Sequence, residues 1–209
     1  KFNEKHKSGI SEIEKKCKTY NELHPNQKID VNAQIAQFLK EQKHSLNLKE
    51  VANYLGKRKN DQVRKHFMKG IDFRGKKLVP AMRTLLENFA LLNAEAQQVD
   101  KLIEAFSEEY VSQNPDQKMN ATSVYQLAFA TMMLNTDLSS KNVKKKMSLE
   151  DFIKTTGYCN IPEQNAKEVF ADIKSEHFKT SFTEKVPGYV LSSDGLNKDP
   201  LYKSLTNGK

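Results

Sequence analysis

Several things are scarce in this 209-residue chain, and each scarcity excludes something. Glycine (8) and proline (6) are too few for an all-β protein built on tight turns. Tryptophan is absent. There are two cysteines, Cys17 and Cys159, so no disulfide framework exists, and a reducing compartment suits them. No apolar run approaches the roughly 20 residues that span a bilayer. His6, His24, His44, His66 and His177 are scattered without ligand-like spacing to one another or to cysteine. Walker, G-x-G-x-x-G, G-x-S-x-G and H-E-x-x-H patterns are missing. Neither a metal nor a cofactor is expected.

Arginine is also scarce. The net charge is +8, yet only Arg58, Arg64, Arg74 and Arg83 are arginines, against 30 lysines. Sequence-specific nucleic-acid readers lean on arginine for bidentate contacts. There is no arginine cluster and no interleaved aromatic stripe, so nucleic acid is not an expected partner. A lysine-rich surface with dispersed acids suits solubility, or weak attraction to an anionic membrane.

What is present is helical spacing. Ile10, Ile13, Cys17 and Tyr20 make one helix face. Ile35, Phe38 and Leu39 make a second. Asn47 with Glu50 reads as an N-cap ahead of Val51 and Leu55, and Gly56 as the C-cap. Val63 and Phe67 mark a fourth helix; Leu78, Met82, Leu85 and Phe89 a fifth; Val99 to Tyr110 a sixth, closed by Asn114-Pro115; Val124 to Met133 a seventh. Asp72-Phe73-Arg74-Gly75 is turn chemistry around a buried Phe. Ser148 with Asp151 is a capping-box pattern before Phe152, and Pro162 fits the first position of a last helix. No alternation long enough for a strand is found. The expectation is a many-helix domain over 1–178 and an irregular tail over 179–209.

Two segments stand out. In Phe89-Ala90-Leu91-Leu92-Asn93-Ala94-Glu95-Ala96-Gln97, one helix ends, a loop turns, and another helix begins near an acid. Helix capping alone would account for Glu95. In Phe129-Ala130-Thr131-Met132-Met133-Leu134-Asn135-Thr136-Asp137-Leu138, a helix with adjacent methionines runs into a polar step. Methionine fills cores and also lines adaptable binding surfaces. Asn135 amid apolar neighbours needs a hydrogen-bond partner.

In this order and roughly 40 residues apart, the two segments resemble the signature motifs of the Sec-7 domain family, guanine-nucleotide exchange factors for Arf GTPases. Ile35–Leu39 with Val51–Gly56, Asp72–Gly75 with Ala81-Met82-Arg83, and Lys146–Ile153 resemble its other landmarks. The tail segments Val-Pro-Gly-Tyr and Leu-Asn-Lys-Asp look like those after this domain in RalF-type bacterial effectors.

The resemblance implies an all-α fold, a right-handed stack of about ten helices, and a missing C-terminal domain beyond the tail. It implies that Glu95 is the carboxylate pushed toward the GDP β-phosphate and Mg²⁺ position of the GTPase. It implies a partner-binding groove of Ala96, Gln97, Phe129, Met132, Met133, Asn135, Thr136, Asp137, Leu138, Ser140 and Met147. Asn135, Thr136 and Asp137 would orient the GTPase switch backbone by hydrogen bonds. The implied partner is an Arf-family GTPase, GDP-bound and nucleotide-free, with an anionic membrane nearby. The implied location is the cytosol or a membrane periphery, or a host cytoplasm for a bacterial effector.

The chain departs from the family at informative points. The usual Phe-Arg-Leu-Pro-Gly-Glu loop is one residue longer here and lacks its Arg, Pro and Gly. Asn93 tolerates a left-handed backbone, whereas Ala94 does so poorly. A slower exchanger or an altered substrate choice is expected, with a catalytically weak Arf-binding or scaffold module as the alternative. Leu138-Ser139-Ser140-Lys141-Asn142 replaces Leu-His-Asn-Pro-Asn, so an amide contact is lost at Ser140. Positions linked to brefeldin response are mixed: Phe129-Ala130 resemble resistant members, Asp137 and Met147 sensitive ones.

Overall fold

The computed structural model describes residues 2–43, 45–88, 96–159 and 161–178, with side chains from residue 9 onward. Among these there is no strand. The helices are α1 Phe2–Leu23, α2 Val31–Glu41, α3 Leu48–Leu55, α4 Asp61–Lys69, α5 Leu78–Leu86, α6 Ala96–Gln113, α7 Ala121–Ser139, α8 Leu149–Gly157 and α9 Glu163–Ser175. A single 3-10 turn, Arg58–Asn60, precedes α4. The all-α expectation holds.

The caps explain where helices begin. Asp30 accepts the N–H groups of Asn32 and Ala33 and starts α2. Asn47 starts α3 by taking the Lys49 N–H; Glu50 makes no reciprocal bond to it. Asn120 starts α7 through the Ser123 N–H. The Ser148–Asp151 pair forms the full capping box at α8. Pro162 is the N-cap of α9 rather than its first helical residue, one position earlier than its fixed φ suggested.

The described chain divides into two compact units. The first comprises residues 1–74 and 84–109. There α1 packs on α2, α2 on α4, and α3 on α4. Its buried side chains include Ile35, Leu39, Leu55, Phe67, Met68 and Phe106. Phe73, from the Asp-Phe-Arg-Gly turn, is fully buried and meets Phe106 edge-on at 5.1 Å. Arg64 is buried and supports the end of α3, donating to the Leu55 carbonyl at 2.7 Å and pairing with Asp61. Gly56 ends α3 with an ordinary right-handed φ of −69°, so conformation does not demand glycine there. Space does: a Cβ would lie 2.3 Å from Gln98 Cβ and 2.7 Å from its Cα.

The second unit comprises Gly75–Arg83 and the chain from Tyr110. In it α7, α8 and α9 pack on one another around Leu127, Leu134, Phe152, Val169 and Ile173. Gly75 has φ 67°, the one positive value among the described glycines, and its N–H donates to Asn114 Oδ1 at 2.8 Å. The Tyr110 hydroxyl donates to the Lys76 carbonyl at 2.9 Å.

Candidate functional site

The groove residues expected on α7 fall on both sides of the helix. Leu134 is fully buried and Asn135 nearly so, whereas Phe129, Met132, Met133, Asp137 and Leu138 are half-buried and Thr136 is exposed. The buried side belongs to the core. Phe129, Met132 and Met133 share the other side and form an apolar strip left in contact with solvent, whereas Leu138, nine residues after Phe129, points to the core side. Tyr125 extends it, its ring meeting that of Phe129 at 4.9 Å in a tilted pair. Methionine suits such a strip, since its unbranched thioether adapts to a partner's contour. Covering a large apolar side chain there is worth about 1.5–3 kcal/mol.

The C-terminal end of α7 is built by its own loop. The Asp137 carboxylate accepts the Met147 N–H at 2.7 Å. The Lys146 ammonium donates to the Asp137 carbonyl at 2.6 Å and also to the Ser140 carbonyl. These are carbonyls a helix C-terminus leaves over, and a cation there also suits the helix dipole. Ser140 is the C-cap, its N–H bound to the Thr136 carbonyl at 3.0 Å. Half-buried Met147 is thereby tied to the end of α7. Lys141, Lys144 and Lys145 are exposed in the same loop.

The three polar groove residues already have intramolecular bonds. Thr136 donates its hydroxyl to the Met132 carbonyl at 2.9 Å. Asp137 is engaged as above. Asn135 Oδ1 accepts the Phe178 N–H at 2.9 Å. That acceptor faces the interior, not the groove.

Ala96 and Gln97 lie in the first unit, both exposed in the first turn of α6. Further along that helix, the hydrogen bond from Lys101 to Glu104 at 2.6 Å raises the lysine's pKa. Phe89 to Glu95, with the expected catalytic acid, lies outside the described residues, as does the tail over 179–209. No group of three or more metal-ligating side chains occurs among the described residues. No described helix is long and apolar enough to cross a membrane.

The Sec7 domain family model matches residues 1–178. The chain belongs to the Sec7 domain family. Its fold matches the N-terminal Sec7 domain of RalF with a TM-score of 0.74 at 35% identity, covering 89% of this chain and 92% of that one. It also matches the Sec7 domain of a structure described as ARF1-GDP bound to a Sec7 domain complexed with brefeldin A. There the TM-score is 0.64 at 27% identity, covering 85% of this chain and 96% of that one. Over 158 residues the chain is 34% identical to the ADP-ribosylation factor guanine nucleotide-exchange factor SEC7 of Saccharomyces cerevisiae. That match takes in 73% of this chain and 8% of the yeast protein, so the chain corresponds to a small part of that curated relative.

Sequence reasoning missed residues that brace α7 and the chain after α9 without lining the expected groove. Lys146 and Arg83 stood inside landmark segments but carried no assigned role. Nothing in the local pattern says that a lysine will turn back onto the preceding helix end.

Proposed function

We propose that this Sec7 domain accelerates GDP release from an Arf-family small GTPase. The observation that carries the proposal is the half-buried strip of Phe129, Met132 and Met133 on α7, with Met147 tied to Asp137 at the end of that helix. Apolar residues of the GTPase switch regions would lie on this strip. The names of the Sec7 relatives support the same partner.

Glu95 would act electrostatically. Placed near the β-phosphate, a carboxylate repels it, competes for the Mg²⁺ position and attracts the phosphate-loop lysine of the GTPase. Like charges a few Å apart cost several kcal/mol at an effective dielectric of ~20. Each 1.4 kcal/mol is about tenfold in release. No covalent bond is made or broken, and no cofactor is required.

The test is release of fluorescent GDP from N-terminally truncated Arf by the wild-type chain and by Glu95→Lys. Wild-type acceleration that the substitution abolishes is expected. No wild-type acceleration would overturn the exchange assignment, and an active Glu95→Lys would overturn the role of Glu95.

The loop sequence favours a second reading. Asn93-Ala94 stands where relatives have Pro-Gly, and the loop is one residue longer. Pro-Gly pins a tight turn, and Asn-Ala lacks both the fixed φ of proline and the free φ of glycine. A chain that binds Arf in a pull-down yet leaves GDP in place would be a scaffold. The RalF match supports a bacterial effector delivered to a host cytoplasm, and the 30 lysines suit work beside an anionic membrane.

A further inference from the structure

The chain leaving α9 is tied down at three successive residues. Glu176, the C-cap, is extended at φ −148° and ψ 111°. Arg83 of α5 donates to the Glu176 carbonyl and, at 3.1 Å, to the His177 carbonyl. The same guanidinium lies 5.3 Å from the centre of the Phe178 ring, a cation–π distance. Phe178 is buried, and its N–H donates to Asn135 Oδ1. One side chain on α5 therefore grips a three-residue strap, and the strap's last N–H holds the groove helix.

The point of attachment matters. Asn135 is 5% exposed and lies one position before exposed Thr136 and three after half-buried Met132. Residues three apart share a helix face, and all of these sit within one turn or so. Moving Asn135 moves the backbone turn that presents Met132 and Thr136. An asparagine whose oxygen is consumed inside the unit does not offer that oxygen to a partner.

We infer that Arg83, Phe178 and Asn135 form a clasp that positions the partner-facing turn of α7, and that Asn135 serves the groove through this clasp rather than by contacting the GTPase. The inference rests on the exchange reading for its functional consequence. The clasp itself is testable without any partner.

The experiment uses the full 209-residue chain. Hydrogen exchange is compared for wild type and Arg83→Ala with no GTPase present. Faster exchange confined to Phe178 and residues 132–138 is expected; unchanged protection there overturns the clasp. GDP release is then measured for Arg83→Ala, Arg83→Lys, Asn135→Ala and the Arg83→Ala/Asn135→Ala double variant, each with wild-type helix content by circular dichroism. Each alanine variant should lower kcat/KM by about tenfold, mainly through KM. The double variant should be no more than about twofold worse than the poorer single, because both break one linkage. Arg83→Lys should recover part of the loss, keeping a cation over the ring and one carbonyl bond. A double variant whose loss is the product of the singles would make Asn135 an independent contact and overturn the inference, as would an Arg83→Lys no better than Arg83→Ala. A wild type that releases no GDP overturns the exchange reading instead, and hydrogen exchange still decides the clasp.

Discussion

The Asp137 carboxylate accepts the Met147 backbone N–H at 2.7 Å, joining two of the residues expected in the groove, ten positions apart. Lys146, the residue between them in that turn-back, donates to the carbonyl of the same Asp137. The end of α7 and the loop that follows it are thus one hydrogen-bonded piece.

Asp137→Ala should loosen that piece. It removes the acceptor of a charge-assisted bond, worth about 1.5–3 kcal/mol when the site is well ordered. Part of this is screened, since Asp137 is only half-buried. A lowered melting temperature together with slower GDP release is expected. Lys146→Ala should show the same pair of effects, read by thermal unfolding and the release assay.

Met132→Lys should separate binding from folding. Met132 is half-buried and faces the groove side, so a lysine can keep its charged end in water. The melting temperature should barely move. GDP release should fall by at least about tenfold, because a partner's apolar side chain would have to cover a charge. Equal losses in stability and release would place Met132 in the core instead.

Gly56→Ala sets two effects against each other. Alanine restricts the unfolded chain, which favours folding by about 0.4–1 kcal/mol where the backbone conformation suits it. Its Cβ, however, would lie 2.7 Å from Gln98 Cα, a backbone atom that can yield only if α6 shifts. Overpacking of this kind costs about 1–3 kcal/mol, so net destabilisation is expected in urea unfolding. Because Gln98 follows Glu95 by three residues in the chain, slower GDP release should accompany it.

Acid should weaken the N-caps. Partial burial would raise the Asp30 pKa, but the Ala33 and Asn32 N–H groups and His66 outweigh it and hold the carboxyl below its usual value. At Asp151 the Ser148 hydroxyl and N–H do the same, and at Glu168 Gln164 and Lys77. A depressed carboxylate contributes stability that is fully present above the unfolded value and lost as pH falls through the folded one. For Asp30, that window begins near 3.8, the ordinary value of an aspartate carboxyl, and extends below it. The melting-temperature gap between wild type and Asp30→Ala should be present at about pH 5 and shrink below about pH 4. A gap that persists unchanged to pH 2.5 would rule out a charged cap.

The helices were legible because amphipathic spacing and caps are local. Ile10 to Tyr20 and the Ser148–Asp151 box need only neighbours a few residues away. The sequence pattern puts Pro162 one position inside the helix because its ring suits either side of that boundary. Gly56 was legible as a helix end but not for its reason, since Gln98 is 42 positions away in sequence.

The sequence by itself determined an all-α chain, the Sec7 motifs and an apolar strip with methionines at its centre. Tertiary structure decided what each polar groove residue does with its hydrogen bonds. Asn135 needs a partner because a buried amide cannot stay unpaired at small cost. Its residue type announces that need, but only the return of the chain at Phe178, 43 residues later, says where it is met. Such pairings depend on how the helices pack, and helical periodicity alone carries no record of them.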